Sequence, residues 1–542
     1  MREVIDRSGH PWNPVTLALL ISLWLATAGN WPLWRAVLAL PEHAGSRGLV
    51  FAAGFAAMVA AFTFALLALA AWRRAIKPVA AFFLISAAAC AHFMGSYGVV
   101  IDPTMMTNVV QTNLTETRDL LSLRLLASLL LIAGLPMVWL ARLPVQRLGW
   151  RAQAGRNLLG IAASLVAFVV LLFALFADLS ATMRNHKQIR YQISPLNAFY
   201  STGALLRQAQ ASPSGPPEAI GLDVRLSPPA PGARPPLFLL VVGETARADR
   251  FSLNGYGRPT NPQLATLDVV SFRNVTSCGT STAASLPCMF SHLGREGFAA
   301  RTRDQEDLLD LAQRAGLAVL WLDNQSGCKG LCDRVPTAKA SDGAPAALCS
   351  DGECLDEALL HGLDARLAAL PAERRARGVL LVMHQMGSHG PAYWRRSPPD
   401  LKPFQPECET NALQQCDEQA LGNAYDNSIA YTDRVLAGAI GWLKSQRSAF
   451  EPTLLYVSDH GESLGEKGLY LHGLPYSVAP REQTHVPLIV WTPSAQRTQC
   501  LASLRDQPLS HDHLFHSVAG ALGIQASEYR VALDLFAACR AP

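Results

Sequence analysis

The sequence predicts two structural classes in one chain, an α-helical membrane domain of five spans followed by an α/β domain outside the membrane. Three observations predict this. Apolar residues crowd the first third, ten of the eleven cysteines follow residue 270, and short apolar runs alternate with helix-period stretches after residue 236. Bulk composition agrees: of 542 residues, 50% are hydrophobic and only 16% charged, with a mean hydropathy of +0.17. Soluble domains carry roughly a quarter charged residues. The net charge of +4 is small, and without a block of like charges it gives no reason to expect a nucleic-acid partner.

The spans come first. Apolar stretches lie near 15–34, 50–72, 78–100, 121–141 and 157–178, each approaching the ~20 residues that cross a bilayer core as a helix. The first has no small-residue cleavage site and four similar stretches follow it, so it reads as an anchor. Arg73, Arg74 and Lys77 separate spans two and three; Arg142, Arg147, Arg151 and Arg156 separate four and five. The loop at 101–119 carries only Arg118. Basic loops stay in the cytoplasm, which puts everything after about residue 179 on the outer side. Arg35 and Arg47 in the loop at 35–49 run mildly against this reading.

Cysteine usage points to the same side. Cys90 lies within the spans. The rest form close couples: Cys278 with Cys288, Cys328 with Cys332, Cys349 with Cys354, and Cys408 with Cys416, leaving Cys500 and Cys539 over. An even number outside the membrane reads as up to five disulfides in an oxidising compartment. CKGLC and CSDGEC also look like short zinc-ligand couples, but no partner couples accompany them.

The chain divides into a membrane domain at 1–178, bridging helices and a proline-rich linker at 179–236, and a catalytic domain at 237–542. SPSGPPEAI and SPPAPGARPP within the linker exclude a packed element. Beyond it, LFLLVV, LAVLWL, VLLVM, TLLYV and PLIVW read as buried parallel strands, separated by helix-period stretches such as 355–370. Polar residues follow these strands directly: Glu244 after the first, His384 and then His389 after VLLVM, and Asp459-His460 after TLLYV. Sites in open α/β sheets lie beyond the carboxyl ends of the strands, so three strands deliver these groups to one edge.

Two carboxylates and an imidazole suit zinc, whose catalytic sites combine three protein ligands with an open position. SCGTSTAASLPCMF, residues 277–290, offers hydroxyls at Thr280, Ser281 and Thr282 ahead of an expected helix. A helix N-terminus presents unpaired N–H groups to a phosphate. A hydroxyl beside Zn²⁺ ionises more readily and can attack phosphorus. Without the metal set the same cluster is an ordinary helix cap. The residues alone do not choose among the three hydroxyls.

The motifs VVGETARADRFSLNGYGRPTNP, SCGTSTAASLPCMFS, DNQSGCKG, HQMGSHGP and SDHGESLGEKGLYLHGLPY make the chain resemble the phosphoethanolamine transferases that modify lipid A, the mobile colistin-resistance enzymes among them. The resemblance spans essentially the whole chain and implies a catalytic domain of the alkaline phosphatase/sulfatase type. It implies Glu244, Asp459 and His460 as zinc ligands, with Thr282 as nucleophile and fourth ligand. It puts His389 and His472 at the substrate headgroup or a second zinc, and Lys329 near the phosphate. Asn108, Thr112 and Glu116 match positions that help hold the lipid headgroup. The implied donor is phosphatidylethanolamine and the implied acceptor lipid A or other lipopolysaccharide, with polymyxin resistance as the outcome. A monomer in the bacterial inner membrane, with its catalytic domain in the periplasm, is expected.

Other readings fit less well. Gly461-Glu462-Ser463-Leu464-Gly465 has the G-x-S-x-G form, but Gly465, Gly468 and Pro475 spoil the helix that a nucleophile elbow requires. A sulfatase-type hydrolase needs a formylglycine motif that CGTSTAASLP does not supply. A polyglycerolphosphate synthase shares the five spans and threonine but not the paired cysteines. A non-enzymatic receptor does not need every metal ligand in place. Transfer to core sugars rather than lipid A stays open.

Overall fold

The computed structural model describes residues 11–112, 114–211, 215–228, 231–350 and 352–540. Part of the proline-rich linker, residues 212–214 and 229–230, lies outside them. The chain forms two compact units, one of residues up to Met106 with Leu121–Arg207, the other of Thr107–Leu120 with Gln208 onward.

In the membrane unit, five helices are long and apolar enough to span: Pro14–Leu38, Ser46–Leu69, Ile76–Tyr97, Leu123–Arg142 and Trp150–Ala174. Val50, Leu159 and Phe173 are 70%, 71% and 76% exposed, as residues facing acyl chains should be. Backbone polar groups in lipid must be satisfied internally, and the fourth span shows how. Pro136 cannot donate to the Ile132 carbonyl one turn earlier, and the helix widens over Leu129–Gly134. Trp24 Nε1 from the first span donates to that carbonyl at 2.9 Å. Asn30, fully buried, donates to Leu25 O and Ser194 O and accepts from the Ser194 N–H. After the last span come the helices Phe176–Asn185 and Leu196–Ala211.

The second unit is built on a seven-stranded sheet: β1 (Pro236–Gly243), β2 (Val269–Phe272), β3 (Ala318–Asp323), β4 (Thr337–Lys339), β5 (Val379–His384), β6 (Glu451–Ser458) and β7 (Leu488–Trp491). Their spatial order is β2-β7-β6-β1-β5-β3-β4. All neighbouring pairs are parallel except those of β7, which runs against both β6 and β2. The apolar runs seen in the sequence are continuous because both sheet faces are covered. Leu237, Leu239 and Val241 pack one way, with Tyr425, Ile429 and Leu436; Phe238, Leu240 and Val242 pack the other way, with Leu286, Met289 and Val518. Truncating any of these to alanine costs about 2–5 kcal/mol.

Four helices carry residues of the site and its surroundings: α1 (Pro103–Gln111), α2 (Leu114–Leu120), α3 (Thr282–Met289) and α4 (Glu418–Ser445). Asp417 caps α4 by accepting from the Ala420 N–H, and Glu418 and Lys444 complement its dipole at either end. The expected helix at 355–370 is instead a tight turn, Asp356–Leu360, and a short helix, Leu363–Ala369. Gly362 between them lies at φ +66°, and the Asp356 carboxylate is taken by the Met386 and Gly387 N–H groups.

The ten outer cysteines form five disulfides. Cys278 is bonded to Cys288, Cys328 to Cys332, Cys349 to Cys354, Cys408 to Cys416, and Cys500 to Cys539. All four close couples of the sequence are therefore disulfides, and the two left-over cysteines join across the end of the chain. The sulfurs of CKGLC and CSDGEC are bonded to each other and are not free to hold zinc.

Candidate active site

The site stands at the carboxyl ends of β1 and β6. Gly243 and Ser458 are register partners in the parallel pair, so the residues that follow them, Glu244 and Asp459, emerge side by side. The pair can close this tightly only with glycine at 243, where a Cβ would sit 2.5 Å from the Tyr456 hydroxyl. Glu244, Asp459 and His460 are all completely buried, and one donor atom from each lies within 4.8 Å of the others.

Each donor is aimed by backbone. Asp459 Oδ1 accepts from the His460 N–H at 2.8 Å and the Thr245 N–H at 3.3 Å, while Oδ2 is buried without a hydrogen-bond partner. His460 Nδ1 lies 2.9 Å from Gly461 O. A carbonyl there fixes Nδ1–H as the donor and leaves the Nε2 lone pair for a ligand. Nε2 is 3.2 Å from Glu244 Oε1 and 3.4 Å from Asp459 Oδ2. Burial alone would raise the Glu244 carboxyl, but the hydrogen bond and charge of His460 hold it well below the usual carboxylate range. Burial and the Glu244 charge push Asp459 up to about 6. Burial opposes protonation of His460, yet the charges of Asp459 and Glu244 raise it to about 10. Two enclosed carboxylates thus demand a cation at Nε2. An unpartnered oxygen, a second carboxylate and an aimed imidazole fit a divalent metal ion.

Thr282 is the first residue of α3, and its Oγ1 lies 2.9 Å and 3.2 Å from the two Glu244 oxygens and 3.4 Å from His460 Nε2. Its neighbours face elsewhere. Thr280 Oγ1 donates to Leu474 O at 2.6 Å, and the Ser281 hydroxyl is buried without a partner. Of the three hydroxyls left open by the sequence, Thr282 is the one that meets the carboxylates. The disulfide of Cys278 with Cys288 closes a loop around it, and Ser285 Oγ donates to Asp459 O, tying α3 to the end of β6.

The other expected residues divide. The His472 ring is 4.4 Å from that of His460 and 5.7 Å from that of His389, so the two outer histidines line the same hollow. His472 Nδ1 meets Glu462 Oε1 at 3.2 Å, and burial lowers His389 to about 3, keeping it neutral. His384, at the end of β5, stays outside the donor group and pairs with Asp323 at 2.9 Å. Lys329 is not brought to Thr282: its ammonium donates to Ser326 Oγ at 2.9 Å. Asn108 lies on α1 and Glu116 on α2, with Thr112 between them donating to Asn108 O at 2.7 Å. None of these three belongs to the donor group found among the described residues.

Two contributors escaped the sequence reading. Gln325 Nε2 donates to Glu244 Oε2 at 2.9 Å. It sits two residues beyond β3, so the strand-end rule would have found it. His511 accepts from the Cys278 N–H at 3.0 Å through Nδ1 and donates to Ser458 O at 2.9 Å through Nε2, bridging the threonine loop to β6. It follows no strand of the main sheet, and nothing local marks it.

Comparison with known proteins agrees with this geometry. A sulfatase family model matches residues 236–524, and the model described as phosphoethanolamine transferase EptA/EptB matches residues 59–210. The chain is 40% identical to phosphoethanolamine transferase EptA of Salmonella typhimurium, covering 96% of each chain. It is 37% identical to phosphatidylethanolamine transferase Mcr-1 of Escherichia coli, again over 96% of both. The solved integral membrane lipooligosaccharide phosphoethanolamine transferase A of Neisseria meningitidis superimposes with a TM-score of 0.92 at 33% identity, covering 97% of this chain and 99% of that one. Five spans, a sulfatase-like sheet with a buried acidic donor group at its strand ends, and these full-length likenesses place the chain in the phosphoethanolamine transferase family, as an integral membrane enzyme with a periplasmic catalytic domain.

Proposed function

We propose that the chain moves phosphoethanolamine from phosphatidylethanolamine to a phosphate of lipid A through a covalent intermediate on Thr282. The observation that carries this is the placement of Thr282 Oγ1 within 3.4 Å of both Glu244 and His460. Zn²⁺ is the ion that two carboxylate oxygens, a neutral imidazole and a hydroxyl suit, and Glu244, Asp459, His460 and Thr282 would hold it. When bound it supplies the positive charge that weakens a neighbouring O–H and draws electron density from a phosphoryl oxygen.

The rest is done by the chain. Glu244 accepts the Thr282 hydroxyl hydrogen bond while holding a proton poorly, so it orients the nucleophile without trapping it. Thr282 Oγ1 forms a bond to phosphorus, the bond to the glycerol oxygen breaks, and the proton of the threonine leaves on diacylglycerol. A lipid A phosphate oxygen then attacks phosphorus, the Thr282 ester breaks, and its oxygen regains a proton. Neutral His389, with His472 beside it, offers hydrogen bonds to the headgroup without adding a second positive charge to that of ethanolamine. Both substrates are lipids, and a membrane-tethered enzyme meets them at high effective concentration.

Intact-protein mass spectrometry of the full-length protein after exposure to donor should show one phosphoethanolamine adduct, absent from Thr282→Ala. Lipid A from expressing cells should be heavier by one phosphoethanolamine, and the cells should resist polymyxins because a masked phosphate attracts a cationic peptide less. An adduct on the alanine variant would sink the assignment of Thr282. Unchanged lipid A with an altered core would move the acceptor to the core sugars.

A further inference from the structure

A second cavity opens beside the site, within the same unit. Its volume is about 410 Å³, and its wall includes Met386, Gly387, Trp394, Arg395, Ser397 and Lys402. The stretch Met386–Gly387 ties it to the reacting centre. The Asp356 carboxylate accepts from both of these N–H groups, at 2.8 Å and 2.9 Å, and the next residue, Ser388, donates its N–H to Glu244 O at 3.0 Å. Arg396, only 5% exposed, binds His389 O through Nε at 2.9 Å. One wall of the cavity is thus the backbone that carries Glu244 and His389.

The charges in this wall choose a ligand. Both of its acids are spent: Glu353 on Arg396 at 2.8 Å, and Asp356 on three donors including Asn324 Nδ2 at 2.7 Å. Its donors are not. Trp394 Nε1 and Ser397 Oγ are buried without partners, and Ser397 is only 4% exposed. An unmet buried donor costs about 1–3 kcal/mol, a standing reason for the wall to close on a ligand rich in acceptors. Arg395 is held loosely, 3.7 Å from Asp119 with its side chain 42% exposed, and it stacks 4.9 Å over the Trp394 ring. Free donors and a loosely held guanidinium want an anion with hydroxyl or ester oxygens. The cationic ethanolamine of the donor lipid would find both carboxylates of this wall already taken. The volume exceeds what a lone phosphate fills and lies at the small end of organic-ligand pockets, about 300–1,000 Å³.

We propose that this cavity is the acceptor subsite and takes a phosphorylated sugar, holding it by Arg395, Ser397 and Trp394 beside the Glu244 edge of the site. The inference rests on the transfer reaction proposed above and adds the chemical class that the acceptor must present.

The test uses the full-length protein in detergent, with glucosamine 1-phosphate, inorganic phosphate and O-phosphoethanolamine as probes. Saturation-transfer NMR should show glucosamine 1-phosphate bound, with Arg395→Ala weakening it about 10-fold and Arg395→Lys restoring part of the loss. Ser397→Ala and Trp394→Phe should each weaken it by a smaller factor. In turnover, Arg395→Ala should raise the acceptor KM about 10-fold relative to the donor KM. Equal binding of inorganic phosphate or of O-phosphoethanolamine would reduce the cavity to a plain anion site and overturn the proposal. A donor KM that rises instead, or binding unchanged in Arg395→Ala, would overturn it as well. If the wild type forms no adduct on Thr282, the transfer reading fails, while NMR binding of the sugar phosphate still reports on the cavity by itself.

Discussion

Gly387→Ala offers a sharp test of how the donor group is held. Gly387 lies at φ +55°, and a Cβ added there would meet Glu244 O at 2.6 Å, Glu244 N at 2.9 Å and Glu244 Cβ at 3.0 Å. The shortest of these falls well inside ordinary van der Waals contact, which begins at 3.4 Å. All three atoms belong to a fully buried residue at a strand end, so no flexible side chain can move aside. The left-handed backbone adds about 1–2 kcal/mol of strain for a residue with a Cβ. Relief requires the 386–388 segment or Glu244 to shift by most of that overlap, and a displacement near ~1 Å at a reacting centre can cost about 100-fold in rate. The expected result is a fall in transfer rate of roughly 10- to 100-fold, a weaker hold on metal, and a thermal midpoint lower by a few degrees. The assay is transfer of a fluorescent phosphatidylethanolamine headgroup, with metal content by mass spectrometry on the same sample. Gly441→Ala is the control, since nothing lies within 4 Å of its Cβ and it sits inside α4. If Gly387→Ala keeps activity within about two-fold and full metal content, the account of Glu244 as fixed by this backbone contact is wrong.

The supports around the site give further tests. His511→Ala removes the acceptor of the Cys278 N–H and the donor to Ser458 O; it should destabilise by about 1–3 kcal/mol and slow adduct formation on Thr282, with His511→Gln recovering part of both. Asp307, which caps the helix Leu308–Arg314, is pushed up to about 8 by burial and the neighbouring Asp310 charge. A carboxyl whose folded pKa exceeds its unfolded value gives stability that is complete below about pH 4 and is lost as pH rises through about 8. Asp307→Asn keeps a capping oxygen and should flatten that part of the pH dependence, so the difference in thermal midpoint between variant and wild type grows in the variant's favour from about pH 5 to about pH 8. A difference that stays constant across that range would refute the assignment.

The spans and the central strands were legible because lipid and a doubly covered sheet both write themselves as continuous apolar runs. Glu244, Asp459 and His460 were legible for a related reason: each follows such a run directly, so position along the chain implied position in space. Thr282 needed more, since three hydroxyls in succession look alike in sequence. Only the fold shows Thr280 committed to Leu474 O while Thr282 faces Glu244. The break at Gly362 was missed because the apolar spacing of 355–370 continues through it, while the Asp356 carboxylate is claimed by backbone 30 residues away. Lys329 shows the limit of reading a role from a motif: GCKG is intact, yet its ammonium is turned to Ser326. His511 was invisible because its partners, Cys278 and Ser458, are far off in sequence and none of the three follows the pattern of another.

The catalytic unit also includes Thr107–Leu120, a segment that the chain makes between its third and fourth spans. Asp119 reaches Arg395 and Arg396 at 3.7 Å, and Asn411 Nδ2 donates to Asp119 O at 2.9 Å across 292 residues of sequence. Biogenesis is constrained accordingly. A stretch delivered early, as a loop threaded outward during insertion, waits for most of the polypeptide to be synthesised and exported before its partners exist. Secreting the polypeptide from Gln208 onward as a free-standing fragment would yield Arg396 beside a missing carboxylate. Maturation of the enzyme is therefore chained to the order in which its spans enter the bilayer.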